Sequence, residues 1–271
     1  MTAITALISK NWIATASDSL LTEFNPVTNE ISSIEFRRSK IVPIRRFKAS
    51  IAYWGLAKVS TWRTYDFLKT MAREADNYDT LESFANEICL KLKEKLSRFH
   101  FRNPIHQGIG IHLTGFEDDG DRLVPELFLI SNYLNSNYND LRELGVSRNL
   151  YETLPDSYRN NEETLREKRN KIVEFLDQEK YFIFNNGDPL LFNPTARSLH
   201  NIFHSAIERN VIRVVPEFRN YMKLASKPIE LIKMFQSDFF NKNKIRIGGK
   251  IHRLLITQTG HFISDTGDDD L

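Results

Sequence analysis

The chain opens with two runs rich in apolar and β-branched residues, TAITALIS and NWIATASDS, separated by the polar step Lys10-Asn11. Alternation with that two-residue interruption predicts a hairpin over Thr2 to Thr15. Glu23 to Arg38 is polar and holds Asn25-Pro26, so a loop or excursion is expected before strands at Ser39 to Pro43 and Lys48 to Trp54. After Gly55 the spacing changes. Val59, Trp62, Tyr65, Phe67, Leu68 and Met71 recur near the helical period and predict a helix up to Ala75. A second helix is predicted from Thr80, with Glu82 close behind the cap and Phe84, Ile88, Leu92 and Leu96 on one face.

Strand spacing returns in GIGIHLTGF and LVPELFLISNY, joined by the acidic turn EDDGD, so a hairpin is expected from Gly108 to Tyr133. Residues 134–180 are polar and strongly charged, with one predicted helix from Glu162 to Glu179. They read as a charged helical insertion on a single domain spanning 1–271, not as a second core. A strand at Tyr181 to Phe184 and a turn at Asn185-Asn186-Gly187-Asp188 follow. Then come helices from Thr195 to Asn210 and from Pro216 to about Asn241, and a last strand pair, GGKIHRLLITQ and GHFISD. Runs of strands broken by pairs of helices imply an α+β fold in which each helix pair covers a sheet face.

Composition narrows the function classes. With 41% hydrophobic and 27% charged residues the chain is globular and too apolar for disorder. A formal net charge of +2 supplies no global field for nucleic acid or an anionic membrane, so neither is expected as a partner. No run approaches the roughly 20 apolar residues that cross a bilayer, and no basic stretch precedes an apolar core as in a secretory leader. The single cysteine, Cys89, excludes an internal disulfide and a multi-cysteine metal site. It points to a reducing, cytoplasmic compartment.

Candidate chemistry begins at Thr2, directly behind Met1. A side chain that small permits removal of the methionine, and the freed amine can act as base for its own hydroxyl, activating a weak nucleophile. Asp18 follows the apolar WIATAS, Lys40 opens the strand SKIVPI, and Gly55 stands in IAYWGLA where a strand gives way to a helix. Together these segments resemble the proteasome β subunits and the bacterial proteasome-related peptidases, members of the N-terminal nucleophile (Ntn) hydrolases. GIGIHLTGFEDDGDRLVPELFLI is similar to the family's central hairpin, and IGGKIHRLLITQTGHF to its last strands. The similarity omits mainly residues 134–180.

The resemblance implies a four-layer αββα sandwich and a threonine-type peptidase or amidase without cofactor or metal. Thr2 would be the nucleophile, Lys40 a cation favouring loss of the hydroxyl proton, Asp18 the carboxylate orienting Lys40, and Gly55 the donor of an oxyanion-hole amide. It also implies a peptide or other amide substrate and a homo-oligomer, a ring or a related assembly. One departure stands out: KIRIGG carries Lys244 and Ile247 where the family has an aspartate-serine pair near the amine, and Asp238 lies too far upstream to replace it. The Asn185 to Asp188 turn is a substitute source of a polar group. The departure favours a second reading, a proteasome-like fold kept for binding or scaffolding without turnover.

Other candidates carry less. His200 and His204 are four apart on a predicted helix, a zinc-compatible spacing, but HNIFH lacks the glutamate of a metalloprotease signature. His112, His252 and His261 lie in strands and receive no role. The basic cluster FRRSKIVPIRRFK holds Arg37, Arg38, Lys40, Arg45, Arg46 and Lys48, but strand alternation sends its side chains to opposite faces.

Overall fold

The computed structural model of the chain describes residues 3–25, 30–35, 39–100, 108–133, 141–160, 163–187, 192–209, 211, 217–239 and 247–267. The elements form an α+β architecture of antiparallel sheets. One five-stranded sheet contains β1 (Ala3–Ile8), β2 (Trp12–Asp18), β12 (Phe182–Gly187), β13 (Ile251–Thr257) and β14 (Phe262–Gly267), in the order β12-β1-β2-β13-β14. The other contains β5 (Ile41–Ile44), β6 (Ala49–Gly55), β9 (Ile109–Asp118), β10 (Leu123–Tyr133) and β11 (Leu141–Asn149), in the order β11-β10-β9-β6-β5. Two small ribbons are also formed, β3 (Leu21–Asn25) with β4 (Glu30–Glu35), and β7 (Lys58–Val59) with β8 (Trp62–Arg63). The helices are α1 (Thr64–Arg73), α2 (Leu81–Leu96), α3 (Leu150–Thr153), α4 (Leu165–Glu179), α5 (Phe192–Glu208) and α6 (Phe218–Phe239).

Strand alternation sorts the side chains into three apolar clusters. On β1, Ile4 and Ile8 face the second sheet while Ala3 and Leu7 face α5 and α6. Both faces are covered, which is why β1 reads AITALI, apolar at nearly every position. Ile13 of β2, Ile41 of β5, Ala52 and Trp54 of β6 and Leu254 and Ile256 of β13 join the cluster between the sheets. A chain of hydroxyls crosses the same space, from Thr15 Oγ1 to Ser50 Oγ (3.2 Å) and on to Thr114 Oγ1 (3.1 Å). The opposite faces of β6 and β9, through Ile51, Tyr53, Ile111 and Leu113, pack on α1 and α2.

The structure adjusts several expectations. The first hairpin and the Gly108 to Tyr133 hairpin form as expected, with Thr5 opposite Ala16 and Thr114 opposite Leu127. The polar stretch after Leu21, expected as a loop or excursion, carries the β3-β4 ribbon. The helix expected from Val59 begins only at Thr64: Val59 and Trp62 pair across the β7-β8 ribbon, and Ser60, at φ 52°, has a backbone no right-handed helix accepts. Thr80 does cap α2, but its reciprocal partner in the capping box is Ser83 and not Glu82.

Within 134–180, Leu141–Asn149 form β11, the edge strand of the second sheet, beside α3, while α4 packs on α3 and β10. Leu144 enters the core under α2, where Cys89 Sγ lies 3.6 Å from the Leu144 carbonyl, and Ile172, Val173, Phe175 and Leu176 of α4 enter the core between the sheets. Asn185 to Gly187, expected as a turn, continue β12 along β1.

Candidate active site

Asp18 closes β2, and its carboxylate gathers three donors from distant parts of the chain. Oδ1 accepts the Ala3 amide at 3.0 Å and Lys40 Nζ at 2.8 Å, and Oδ2 accepts the Gly248 amide at 3.2 Å. Ser19 N–H in turn donates to the Gly248 carbonyl. The side chains of Asp18 and Lys40 are 0% and 1% exposed, so the ion pair is fully enclosed. Burial pulls the Lys40 pKa below the ordinary lysine value, against the opposing influence of the Asp18 charge and hydrogen bond. Two of the three donors are backbone amides, which satisfies carboxylate lone pairs that a buried ion pair alone would leave empty.

Thr2 lies outside the described residues. The nitrogen that joins it to the rest of the chain does not: Ala3 N–H is the donor held by Asp18 Oδ1. The same oxygen therefore binds the peptide group next to Thr2 and the Lys40 ammonium. Two of the expected site residues are brought together, at the start of β1.

Gly55 ends β6 at the same end of the second sheet. Successive amides along an antiparallel strand point to opposite neighbours. Tyr53 N–H donates to the Lys40 carbonyl at 3.3 Å and Leu56 N–H to the Gly108 carbonyl at 2.8 Å, so the Gly55 N–H between them points to the β5 side. The β5-β6 register stops at Ile41 opposite Ala52, so this amide is directed past the ladder's end, on the side where Lys40 stands. The backbone here has φ +83°, and a Cβ on residue 55 would sit 2.3 Å from the Gly108 carbonyl oxygen and 2.6 Å from Tyr133 Oη. Glycine is required at this position.

Asp188 and Lys244 lie outside the described residues. Ile247 is buried against α6, its amide donating to Gln236 Oε1 at 3.1 Å, and Asp238 is exposed on α6. Asn185 Oδ1 accepts from Thr5 Oγ1 at 2.9 Å. His200 stands edge-on to Tyr181, and nothing is described of the His204 side chain. Of the basic cluster, Arg37 and Arg38 lie outside the described residues; among the others, Lys40 is in the core, Lys48 Nζ donates to the Gln258 carbonyl at 2.8 Å, and the Arg46 guanidinium lies over the Phe47 ring. Among the described residues no group of three or more His, Cys, Asp or Glu side chains is arranged to hold a metal ion, and no helix is long and apolar enough to cross a membrane.

His112 has no local sequence pattern that marks it as functional. It points from β9 into the space between the sheets, where its Nε2 lies 2.8 Å from Asn186 Nδ2. Its ring meets Trp54 at 5.0 Å and Phe184 at 4.8 Å, both edge to face. Burial pushes its pKa down to about 3, so the imidazole is neutral and Nε2 accepts from the asparagine amide. That leaves the proton on Nδ1, which is buried and has no partner among the described residues.

The chain matches no protein-family model and no curated protein by sequence.

Proposed function

We propose that this protein is a threonine-type amide hydrolase of the Ntn class, with a four-layer αββα sandwich and Thr2 as its nucleophile once Met1 is removed. One observation carries the reading: Asp18 Oδ1 accepts both the Ala3 amide, one peptide bond from Thr2, and the Lys40 ammonium. This ties a buried cation to the start of the chain, where an activated hydroxyl needs it. In this mechanism the Thr2 hydroxyl attacks an amide carbonyl while the free amine takes its proton. The oxyanion then accepts the Gly55 N–H, an amide directed past the end of β5 towards the Lys40 side. Collapse expels the amine product, which takes up the proton, and water releases the acyl group from Thr2. Peptides and related amides are the substrate class, no cofactor or metal is used, the resemblance adds a homo-oligomer, and the single cysteine a cytoplasmic location.

Intact mass and covalent labelling test the reading. The purified protein is expected one methionine lighter than its sequence, and a peptide vinyl sulfone is expected to label the wild type and not Thr2→Ala. Retention of Met1, or equal labelling of both, removes Thr2 as nucleophile.

Ile247 favours a second reading. It is an apolar, fully buried residue where the resembling family has polar support for the amine. On that reading the fold serves as a scaffold or binding protein without turnover, and Met1 retention would select it.

A further inference from the structure

The halves of the candidate site sit on different sheets. Asp18 and Ala3 belong to the first, and Gly55 and the strand that Lys40 leads into belong to the second. Reaction geometry therefore depends on how far apart the sheets stand at this end. The Asp18–Lys40 pair is one link across the gap. Another, beyond the Thr15–Ser50 hydroxyl contact, is the hydrogen bond from Asn186 Nδ2 of β12 to His112 Nε2 of β9.

Its placement matters. Asn186 lies opposite Ile4 and its neighbour Gly187 opposite Ala3, so the bond anchors β12 where β12 flanks the start of β1. The other side of the His112 ring rests on Trp54, the residue before Gly55, and Trp54 in turn fills space that a Cβ on Gly110 would occupy, 1.9 Å from the indole ring. One imidazole thus touches both the strand beside Ala3 and the strand that ends in Gly55.

We infer that His112 is a positioning residue: by accepting the Asn186 amide between the sheets it fixes the spacing of the Ala3 end of β1 relative to the Gly55 amide. The inference rests on the hydrolase reading. A misplacement of about 1 Å can lower a rate by about 10²-fold, so a spacer need not touch substrate to control turnover.

His112→Phe keeps an aromatic ring between Trp54 and Phe184 but removes the acceptor. With a peptide vinyl sulfone, the maximal labelling rate of this variant is expected to fall at least about tenfold, with half-saturation unchanged and every molecule eventually labelled. The double variant His112→Phe/Asn186→Leu removes both polar partners of the bond and is expected to regain melting temperature without regaining rate. A smaller labelled fraction at an unaltered rate, recovery of rate in the double variant, or no change at all would each overturn the inference. Should His112→Phe fail to fold, Asn186→Leu removes the same bond from the other side, with the same expected and overturning outcomes. Failure of the wild type to label sinks the hydrolase reading and the positioning role with it. Labelling of wild type and variant at equal rates sinks the positioning role alone.

Discussion

Lys40 Nζ lies 2.8 Å from Asp18 Oδ1 in a place where neither side chain meets solvent. Removing one member strands the other as a buried charge, which costs about 3–5 kcal/mol. Asp18→Asn and Lys40→Met are each expected to lose stability of this order in urea denaturation and to lose vinyl sulfone labelling. The double variant should cost less than the sum of the two, because the second change removes the charge that the first one strands. Additive losses would show that the two groups are not coupled.

Gly55→Ala tests the close approach at the end of β6. The new methyl would meet the Gly108 carbonyl oxygen at 2.3 Å on a backbone with φ +83°. Left-handed backbone alone costs an alanine about 1–2 kcal/mol, and contact with a carbonyl oxygen adds to it. The urea midpoint is expected to fall by the equivalent of at least about 2 kcal/mol, with labelling reduced. An unchanged midpoint would mean that β6 and Tyr133 yield without strain.

Trp54 offers an optical readout of the same region. A Cβ at Gly110 would lie 1.9 Å from the indole, so Gly110→Ala must move that ring away from His112 and Tyr133, which it now contacts. Near-ultraviolet circular dichroism is expected to change in the tryptophan region while the far-ultraviolet spectrum stays the same. An unaltered near-ultraviolet spectrum would show that the backbone shifts instead.

Glu126 makes stability depend on pH. It is buried on β10, with Arg169 Nε of α4 at 3.5 Å. Burial is the main cause that raises its pKa to about 7. Arg169 opposes the rise, and the Glu117 and Glu82 charges add to it. Glu117, one strand away, is raised too, chiefly by burial, while its carboxylate accepts the Leu81 amide at 2.8 Å. A carboxyl with a raised folded-state pKa contributes stability that is present below its ordinary value of 4.5 and lost as the pH climbs through about 7. Glu126→Gln should remove a decline on the order of 3 kcal/mol across that window and be the more stable form at pH 8. Parallel stability curves for the two proteins would contradict this assignment.

The first hairpin was legible because two β-branched runs flank a single polar step, and the chain places Lys10 and Asn11 in that turn. β11 was not legible: LRELGVSRN lies at a sheet edge, and among its described side chains only Leu144 is buried, so its alternation is diluted by charge. Val59 and Trp62 mimic a helical spacing, and only the positive φ of Ser60 shows that the chain turns there. Asp18 and Lys40 could be paired from the sequence through their resemblance to one family. His112 could not. A lone histidine in an apolar strand gives no local signal, and its partner Asn186 is 74 residues away, brought near only by the stacking of two sheets.

The buried thiol sets the background for every covalent experiment named above. Cys89 is held under β11, and burial raises its pKa above the ordinary thiol value, so the thiolate that soft electrophiles seek is scarce and enclosed. With no other sulfhydryl in the chain, a Cys89→Ala variant removes every cysteine adduct at once. Mass that this variant gains under native conditions is modification of a nucleophile other than a thiol.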